Sequence, residues 1–235
     1  MYFFYNGVRV FYKRTGEPTV VFLHGWGGDS RSFASAENYL SSLNIGYIAP
    51  DLAGFGRSGM DASWSIRDYY SCVSALIDGL NDITVVGHSF GGRIALLLGN
   101  DKRVTKLVLT GCAGLKPRFS LSKAISETKY KLYKKLNRDL SRFGSYDYRN
   151  AGKLKPVLVR VVNEYLDKDA KKVTAKTLIV WGKKDEVTPL YMAKSLGRKI
   201  KGSVTKIIDG DHFAYLSPKF SFYLGEFIKG GRICR

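Results

Sequence analysis

The pentapeptide Gly87-His88-Ser89-Phe90-Gly91 connects an apolar run at residues 83–86 to a run with helical spacing at residues 93–98. A serine flanked by two glycines at such a junction is typical of a sharp strand-to-helix turn, where larger neighbours would collide. The turn exposes Ser89 Oγ and puts the N–H of Phe90 at a helix N-terminus, ready to bind developing negative charge. We therefore predict that Ser89 is a nucleophile; the alternative is an ordinary loop serine.

A second glycine-rich stretch, Leu23-His24-Gly25-Trp26-Gly27-Gly28, directly follows the apolar run at residues 20–23. We predict that the Trp26 N–H joins the Phe90 N–H in an oxyanion hole, and that His24 and Gly25 contribute to substrate binding. His24 is expected to hold the loop through a ring hydrogen bond rather than to transfer a proton. A phosphate-binding loop is disfavoured, because neither GxGxxG nor GxxxxGK[ST] is present.

A serine hydroxyl needs a base to take its proton, and the chain has three histidines to supply one: His24, His88 and His212. The ring of His88 is expected to point away, because His88 is adjacent to Ser89 on the turn. His212 follows the apolar run at residues 204–208. The carboxyl ends of parallel strands lie at one edge of a sheet, so His212 is predicted to be the base.

The carboxylate that orients the base should lie between the nucleophile and the histidine in the chain, again where a strand ends. Trp181-Gly182-Lys183-Lys184-Asp185 follows the apolar run that starts at residue 177 and offers Asp185. Glu186 is the alternative. Asp211 cannot easily turn back onto the ring of its neighbour His212 and is interpreted as a turn residue.

Composition and patterning indicate one α/β domain. The 235 residues are 45% hydrophobic and 25% charged, as in a globular protein. Helical spacing alternates with short apolar runs, which predicts a mostly parallel sheet with helices on both faces. Asn6-Gly7 predicts an antiparallel hairpin at the start. The predicted strands cover residues 19–23, 47–49, 83–86, 104–109, 177–181 and 204–208, and the helices residues 32–43, 66–80, 93–98, 190–196 and 220–228.

Residues 115–176 interrupt this alternation and are called the inserted segment below. The segment has 17 Lys or Arg against 6 Asp or Glu, a net charge of +11 out of +18 for the chain. Residues 122–140 and 157–169 have helical character, and a structureless loop of this length is uncommon inside a domain. We predict a helical cap over one edge of the sheet, between core parts at residues 1–114 and 177–235.

Together these motifs resemble the α/β-hydrolase superfamily. The matching landmarks are His24–Gly28, Asp51-Leu52-Ala53-Gly54-Phe55-Gly56-Arg57-Ser58, Gly87–Gly92, Trp181–Asp185 and Gly210–His212. The resemblance implies an α/β-hydrolase fold with a helical cap, a Ser89-His212-Asp185 triad and hydrolysis of a carboxylic ester or thioester through an acyl-enzyme. It implies no cofactor. A carbon–carbon bond hydrolase or a cofactor-free perhydrolase on the same triad, and a non-catalytic ligand-binding module, remain alternatives.

The basic and aromatic inserted segment allows two interpretations. In the first, the charges form a solvated face. In the second, they attract an anionic or carrier-linked acyl substrate in preference to a neutral small-molecule ester. No nucleic-acid partner is predicted, since no reader motif accompanies the charge. No metal site is predicted from three dispersed cysteines and three histidines.

The sequence has no run of about 20 apolar residues and no secretory signal, so a cytoplasmic protein without a membrane span is expected. The oligomeric state stays open.

Overall fold

The computed structural model describes residues 1–118 and 145–231. Eight strands form one sheet in the order β1-β2-β4-β3-β5-β6-β7-β8. The strands are Tyr2–Tyr5 (β1), Val8–Thr15 (β2), Pro18–Leu23 (β3), Gly46–Pro50 (β4), Ile83–His88 (β5), Val104–Thr110 (β6), Lys176–Gly182 (β7) and Val204–Ile208 (β8). Strands β3 to β8 pair in parallel, and β2 pairs antiparallel with both β1 and β4. The predicted fold class is confirmed.

Helices cover both faces of this sheet. They are Ala34–Ser42 (α1), Ile66–Leu76 (α2), Ser89–Leu98 (α3), Tyr146–Asn150 (α4), Lys155–Val162 (α5), Asp167–Ala170 (α6), Leu190–Lys199 (α7) and Pro218–Ile228 (α8). Alternate side chains of a strand point to opposite faces. In β3, Val20 and Phe22 pack with residues of α1 and α8, whereas Val21 and Leu23 pack with residues of α2, α3 and α7. Strands β3 to β7 are mostly hydrophobic because both of their faces are buried.

The predicted hairpin joins β1 to β2, with Tyr5 opposite Val8. Asn6 and Gly7 both have left-handed backbone angles, with φ of 46° and 78°. This is the conformation that the two central residues of a type I′ turn require.

Strand β8 differs from the expectation of a strand buried on both faces. Only Ile208 in it is fully buried, and Ile207 is 40% exposed. The reason is its position, because β8 is the last strand in the sheet order and pairs with β7. Helix α3 also differs, since it begins at Ser89 itself rather than at residue 93.

The described part of the inserted segment contains α4, α5 and α6. The helix predicted over residues 122–140 lies outside the described residues, and the one predicted over residues 157–169 is divided between α5 and α6. Buried Arg93 explains the division: its Nη1 donates to the carbonyls of Val161, at 2.6 Å, and Glu164, at 2.9 Å, where α5 ends. These bonds tie the segment to α3. Within residues 1–118 and 145–231, no helix has the length and apolar character to cross a bilayer.

Candidate active site

Ser89 occupies a strained turn between β5 and α3. Its φ of 48° is left-handed, a conformation that costs an L-residue about 1–2 kcal/mol. The surrounding backbone holds the turn in place: the Gly91 N–H donates to the His24 carbonyl at 3.0 Å. A Cβ atom at Gly91 would collide with the carbonyl oxygen of Leu23, so this position needs glycine. The strain is therefore maintained by close packing of the turn against the loop that follows β3.

His212 and Asp185 form a hydrogen-bonded pair. His212 Nδ1 lies 2.9 Å from Asp185 Oδ2. A carboxylate only accepts hydrogen bonds, so Nδ1 donates a proton to this bond and Nε2 is the ring nitrogen left to act as a base. His212 lines the same cavity as Ser89. Glu186, the alternative acid, is exposed.

Two loops must approach closely for this pair to form. Asp185 follows β7 and His212 follows β8, and the Lys184 N–H donates to the Gly210 carbonyl at 2.9 Å. A Cβ atom at Gly182 would collide with the carbonyl of Asp211. Glycine at the end of β7 thus allows the loop that carries His212 to pack closely against the loop that carries Asp185.

Thr188 completes the surroundings of Asp185. Its N–H donates to Oδ1 at 2.8 Å and its hydroxyl to Oδ2 at 2.7 Å. Burial alone would raise the pKa of Asp185, but the hydrogen bonds from His212 and Thr188 outweigh it and hold the pKa below its ordinary value. Asp185 therefore stays ionised and is available to stabilise a protonated His212.

A cavity of about 600 Å³ lies over Ser89 and His212. It is lined mainly by the loop at residues 25–28, by side chains near His212 and by residues of the inserted segment; the lining residues include Gly25, Trp26, His88, Ser145, Tyr146, Asp147, Asn150, Val187, Phe213 and Tyr215. Among the described residues, Ser89 Oγ has no hydrogen-bond partner. Contacts between a nucleophile and its base are often long until substrate binds, so this does not argue against the pair.

The two predicted oxyanion donors flank the turn. Phe90 is the second residue of α3, so its N–H has no partner within the helix. In the described ranges, neither this N–H nor that of Trp26 donates to a protein acceptor. The Trp26 ring packs edge-on against the Phe90 ring, with centroids 5.4 Å apart. The oxyanion hole itself stays a prediction.

The His24 ring holds the loop at residues 25–28 in place through hydrogen bonds. Its Nδ1–H donates to the Gly25 carbonyl at 2.8 Å, and its Nε2 accepts the Leu52 N–H at 2.9 Å. Burial lowers the pKa of His24, which keeps the ring neutral. Gly25 lines the cavity, whereas the ring of His24 does not. Any effect of His24 on substrate binding must therefore act through the loop.

His88 does not lie where the sequence interpretation puts it. Its ring was expected to point away from the site, but it lines the cavity with its centroid 4.7 Å from that of His212. Its Nδ1–H donates to the Thr110 carbonyl at 3.1 Å, and burial, with a smaller effect of His212, lowers its pKa to about 3. A strand's last residue can turn its ring toward a neighbouring strand end, which sequence alone does not show.

Asp147, Phe213 and Tyr215 are among the other lining residues that the sequence did not indicate. The position of Asp147 depends on how the inserted segment packs, and no sequence pattern signals it. For Thr188 there was a partial signal, because aspartate side chains in turns commonly accept hydrogen bonds from backbone N–H groups that follow them. Within the described chain, no group of three or more His, Cys, Asp or Glu residues could hold a metal ion.

Comparison with known proteins agrees with this architecture. The sequence model of the Alpha/beta hydrolase family matches residues 20–220. Lipase LipV of Mycobacterium tuberculosis is 37% identical over 102 residues, which cover 42% of this chain and 38% of the lipase. AB hydrolase superfamily protein YisY of Bacillus subtilis is 28% identical over 87% of this chain and 88% of its own. An esterase from Exiguobacterium antarcticum superposes with a TM-score of 0.76 over 95% of this chain and 97% of that one; at 24% identity it shows the fold alone.

Proposed function

This chain belongs to the Alpha/beta hydrolase family, and on that premise we propose that it hydrolyses a carboxylic ester or thioester by nucleophilic catalysis. One observation carries the proposal: Ser89, on a strained turn, lines the same cavity as His212, whose Nδ1 is bonded to buried Asp185. A nucleophile, a base and an orienting carboxylate are the groups that acyl transfer requires. The similarity to Lipase LipV favours an ester substrate.

In the first half-reaction, Ser89 Oγ attacks the acyl carbonyl carbon while His212 Nε2 takes the hydroxyl proton. The carbonyl electron pair moves onto oxygen, where the N–H groups of Trp26 and Phe90 can stabilise it. The carbonyl then reforms and breaks the bond to the leaving oxygen or sulfur, which takes the proton from His212. The product is an acyl-enzyme on Ser89 and a free alcohol or thiol.

Water completes the cycle. His212 Nε2 takes a proton from water as the water oxygen attacks the acyl carbon, and the proton returns to Ser89 Oγ when the acyl bond breaks. Asp185 does not take this proton. Its ionised state, favoured by the hydrogen bonds from His212 and Thr188, stabilises the transient positive charge on His212.

We also propose that residues 115–176 form a cap over the site. Supporting this, Ser145, Tyr146, Asp147 and Asn150 of the segment line the cavity. The Arg93 bonds to the carbonyls of Val161 and Glu164 anchor the described part of the segment to the helix that begins at Ser89. A cap in this place would shape the part of the cavity that receives the substrate.

The test is active-site labelling. A fluorophosphonate probe should label the wild type, and Ser89→Ala should abolish labelling. Ser203→Ala removes a serine in the turn before β8, outside the cavity, and should label normally. Labelled protein should also hydrolyse p-nitrophenyl esters of graded chain length or acyl-thioesters. Equal labelling of Ser89→Ala would contradict the proposed nucleophile, and an unlabelled, inactive wild type would favour a ligand-binding module. Labelling without ester or thioester turnover would instead favour the carbon–carbon hydrolase or perhydrolase alternative.

A further inference from the structure

Among the described residues that line the cavity, the charge differs in sign from the charge of the chain. The chain carries a net charge of +18, yet within residues 1–118 and 145–231 no Lys or Arg lines the cavity. Apart from the histidines, the ionisable side chains that line it in the described part of the chain are Asp147 and the tyrosines Tyr146 and Tyr215. For these described side chains, the formal charge expected at neutral pH is therefore the carboxylate of Asp147.

Asp147 differs in its contacts from the other described acids of the inserted segment. Glu164 accepts the Ile66 N–H. Asp167 accepts the Lys116 N–H and pairs with Lys199, and Asp169 pairs with Arg67. In the described ranges, the Asp147 carboxylate has no hydrogen bond and no ion pair. It is partly buried in the first turn of α4.

Burying a carboxylate, even partly, without a hydrogen-bond or ion-pair partner costs free energy unless a ligand supplies that partner. Burial raises the pKa of Asp147, while its interaction with His212 acts in the opposite direction. The carboxylate thus faces the space where the substrate lies, and it attracts positive charge there and repels negative charge.

We propose that Asp147 determines substrate specificity: it favours esters or thioesters that carry a cationic group in the cavity and rejects those that carry a carboxylate. This inference rests on the proposed function. It replaces the expectation that the basic segment draws an anionic group into the site. The described lysines of the segment are exposed, and physiological salt largely screens exposed charges that lie more than about 8 Å apart, whereas Asp147 acts at short range inside the cavity. Repulsion of a like charge is an effective way to reject a wrong substrate.

Three aryl esters of equal acyl length provide the test, with chains ending in trimethylammonium, tert-butyl or carboxylate groups. The wild type should show a higher kcat/KM for the trimethylammonium ester than for the carboxylate ester. In Asp147→Asn this ratio should fall about tenfold, as loss of a close charge interaction predicts. Turnover of the tert-butyl ester should change less than about threefold, because the substitution preserves shape. Asp147→Lys should reverse the preference.

Glu17→Gln is the matched control. It makes the same change in net charge at a side chain that is 97% exposed, in the turn before β3 and outside the cavity. It should leave the ratio unchanged. If Asp147→Asn keeps the wild-type ratio while the tert-butyl ester is still hydrolysed and the fluorophosphonate probe still reacts, the Asp147 inference is overturned and the proposed function stands. A wild type that neither reacts with the probe nor turns over any of the three esters would overturn both.

Discussion

Gly91 donates its backbone N–H to the carbonyl oxygen of His24 across 3.0 Å. This bond joins the turn that carries Ser89 to the loop that carries Trp26. The spacing between the proposed nucleophile and the second proposed oxyanion donor is therefore set by backbone contacts. Preorganised donors of this kind stabilise a transition state without having to move during the reaction.

Gly91→Ala should disrupt this junction. The new Cβ would collide with the backbone carbonyl of Leu23, which cannot rotate away as a side chain can. We expect a loss of about 1–3 kcal/mol in the free energy of unfolding and a marked fall in kcat. Urea unfolding and ester assays measure the two effects. Gly59→Ala is the control, because its Cβ would lie no closer than 3.4 Å to any neighbouring atom; equal stability of the two variants would contradict the prediction.

Asp185→Asn should leave the fold nearly intact and lower kcat by about 10⁴-fold. The amide can no longer stabilise positive charge on His212, and it can hold the ring in the wrong tautomer. Kinetics on any ester that the wild type turns over measure this effect. Glu186→Gln alters the neighbouring exposed acid and should keep near-normal activity. If the two variants showed the opposite pattern, the orienting role would belong to Glu186.

Thr188→Val should reduce kcat/KM about tenfold, because a hydrogen bond to a charged group contributes about 1.5–3 kcal/mol. Valine keeps the backbone donor to Asp185 Oδ1 but removes the hydroxyl that lies 2.7 Å from Oδ2. Loss of this donor makes the Asp185 carboxylate more basic, which favours a proton on the His212 ring, so the acidic limb of the pH–rate profile should move to higher pH. Thr188→Ser should restore both the rate and the profile. A profile identical to that of the wild type would show that Thr188 is merely structural.

The sequence alone could place Ser89, Asp185 and His212 at one edge of the sheet. Each follows an apolar run, and parallel strands bring their carboxyl ends together. The structure places Ser89 and His212 in one cavity and Asp185 against His212. Local pattern was sufficient here because each residue is held by the strand immediately before it.

What could not be predicted depends on contacts between segments distant in the chain. Strand β8 reads as a buried apolar run, but its exposure follows from its position at the sheet edge. Asp147 reads as one acid in a basic segment, and only the packing of α4 over Ser89 makes it a cavity residue. The ring of His88 packs beside those of Tyr215 and His212, with centroids 4.3 Å and 4.7 Å away. Such neighbours belong to the tertiary fold rather than to the local sequence.

His88 gives a prediction for stability against pH. Its pKa is lowered to about 3 in the folded protein, chiefly by burial, whereas a histidine in an unfolded chain titrates near 6.5. As the pH falls below about 6.5, the His88 ring becomes protonated in the unfolded state, whereas in the folded protein it stays neutral down to about pH 3. Stability contributed by the neutral ring is thus present above this window and is lost as the pH falls through it. Between pH 7 and 5 the loss from this ring amounts to about 2 kcal/mol.

His88→Gln, which keeps a donor for the Thr110 carbonyl, should therefore lose about 2 kcal/mol less than the wild type when urea unfolding is compared at the two pH values. His24 is present in both proteins, so its own lowered pKa cancels in the comparison. An equal loss in the two proteins would mean that the His88 ring is readily protonated in the folded state, and that it accepts a charge beside His212.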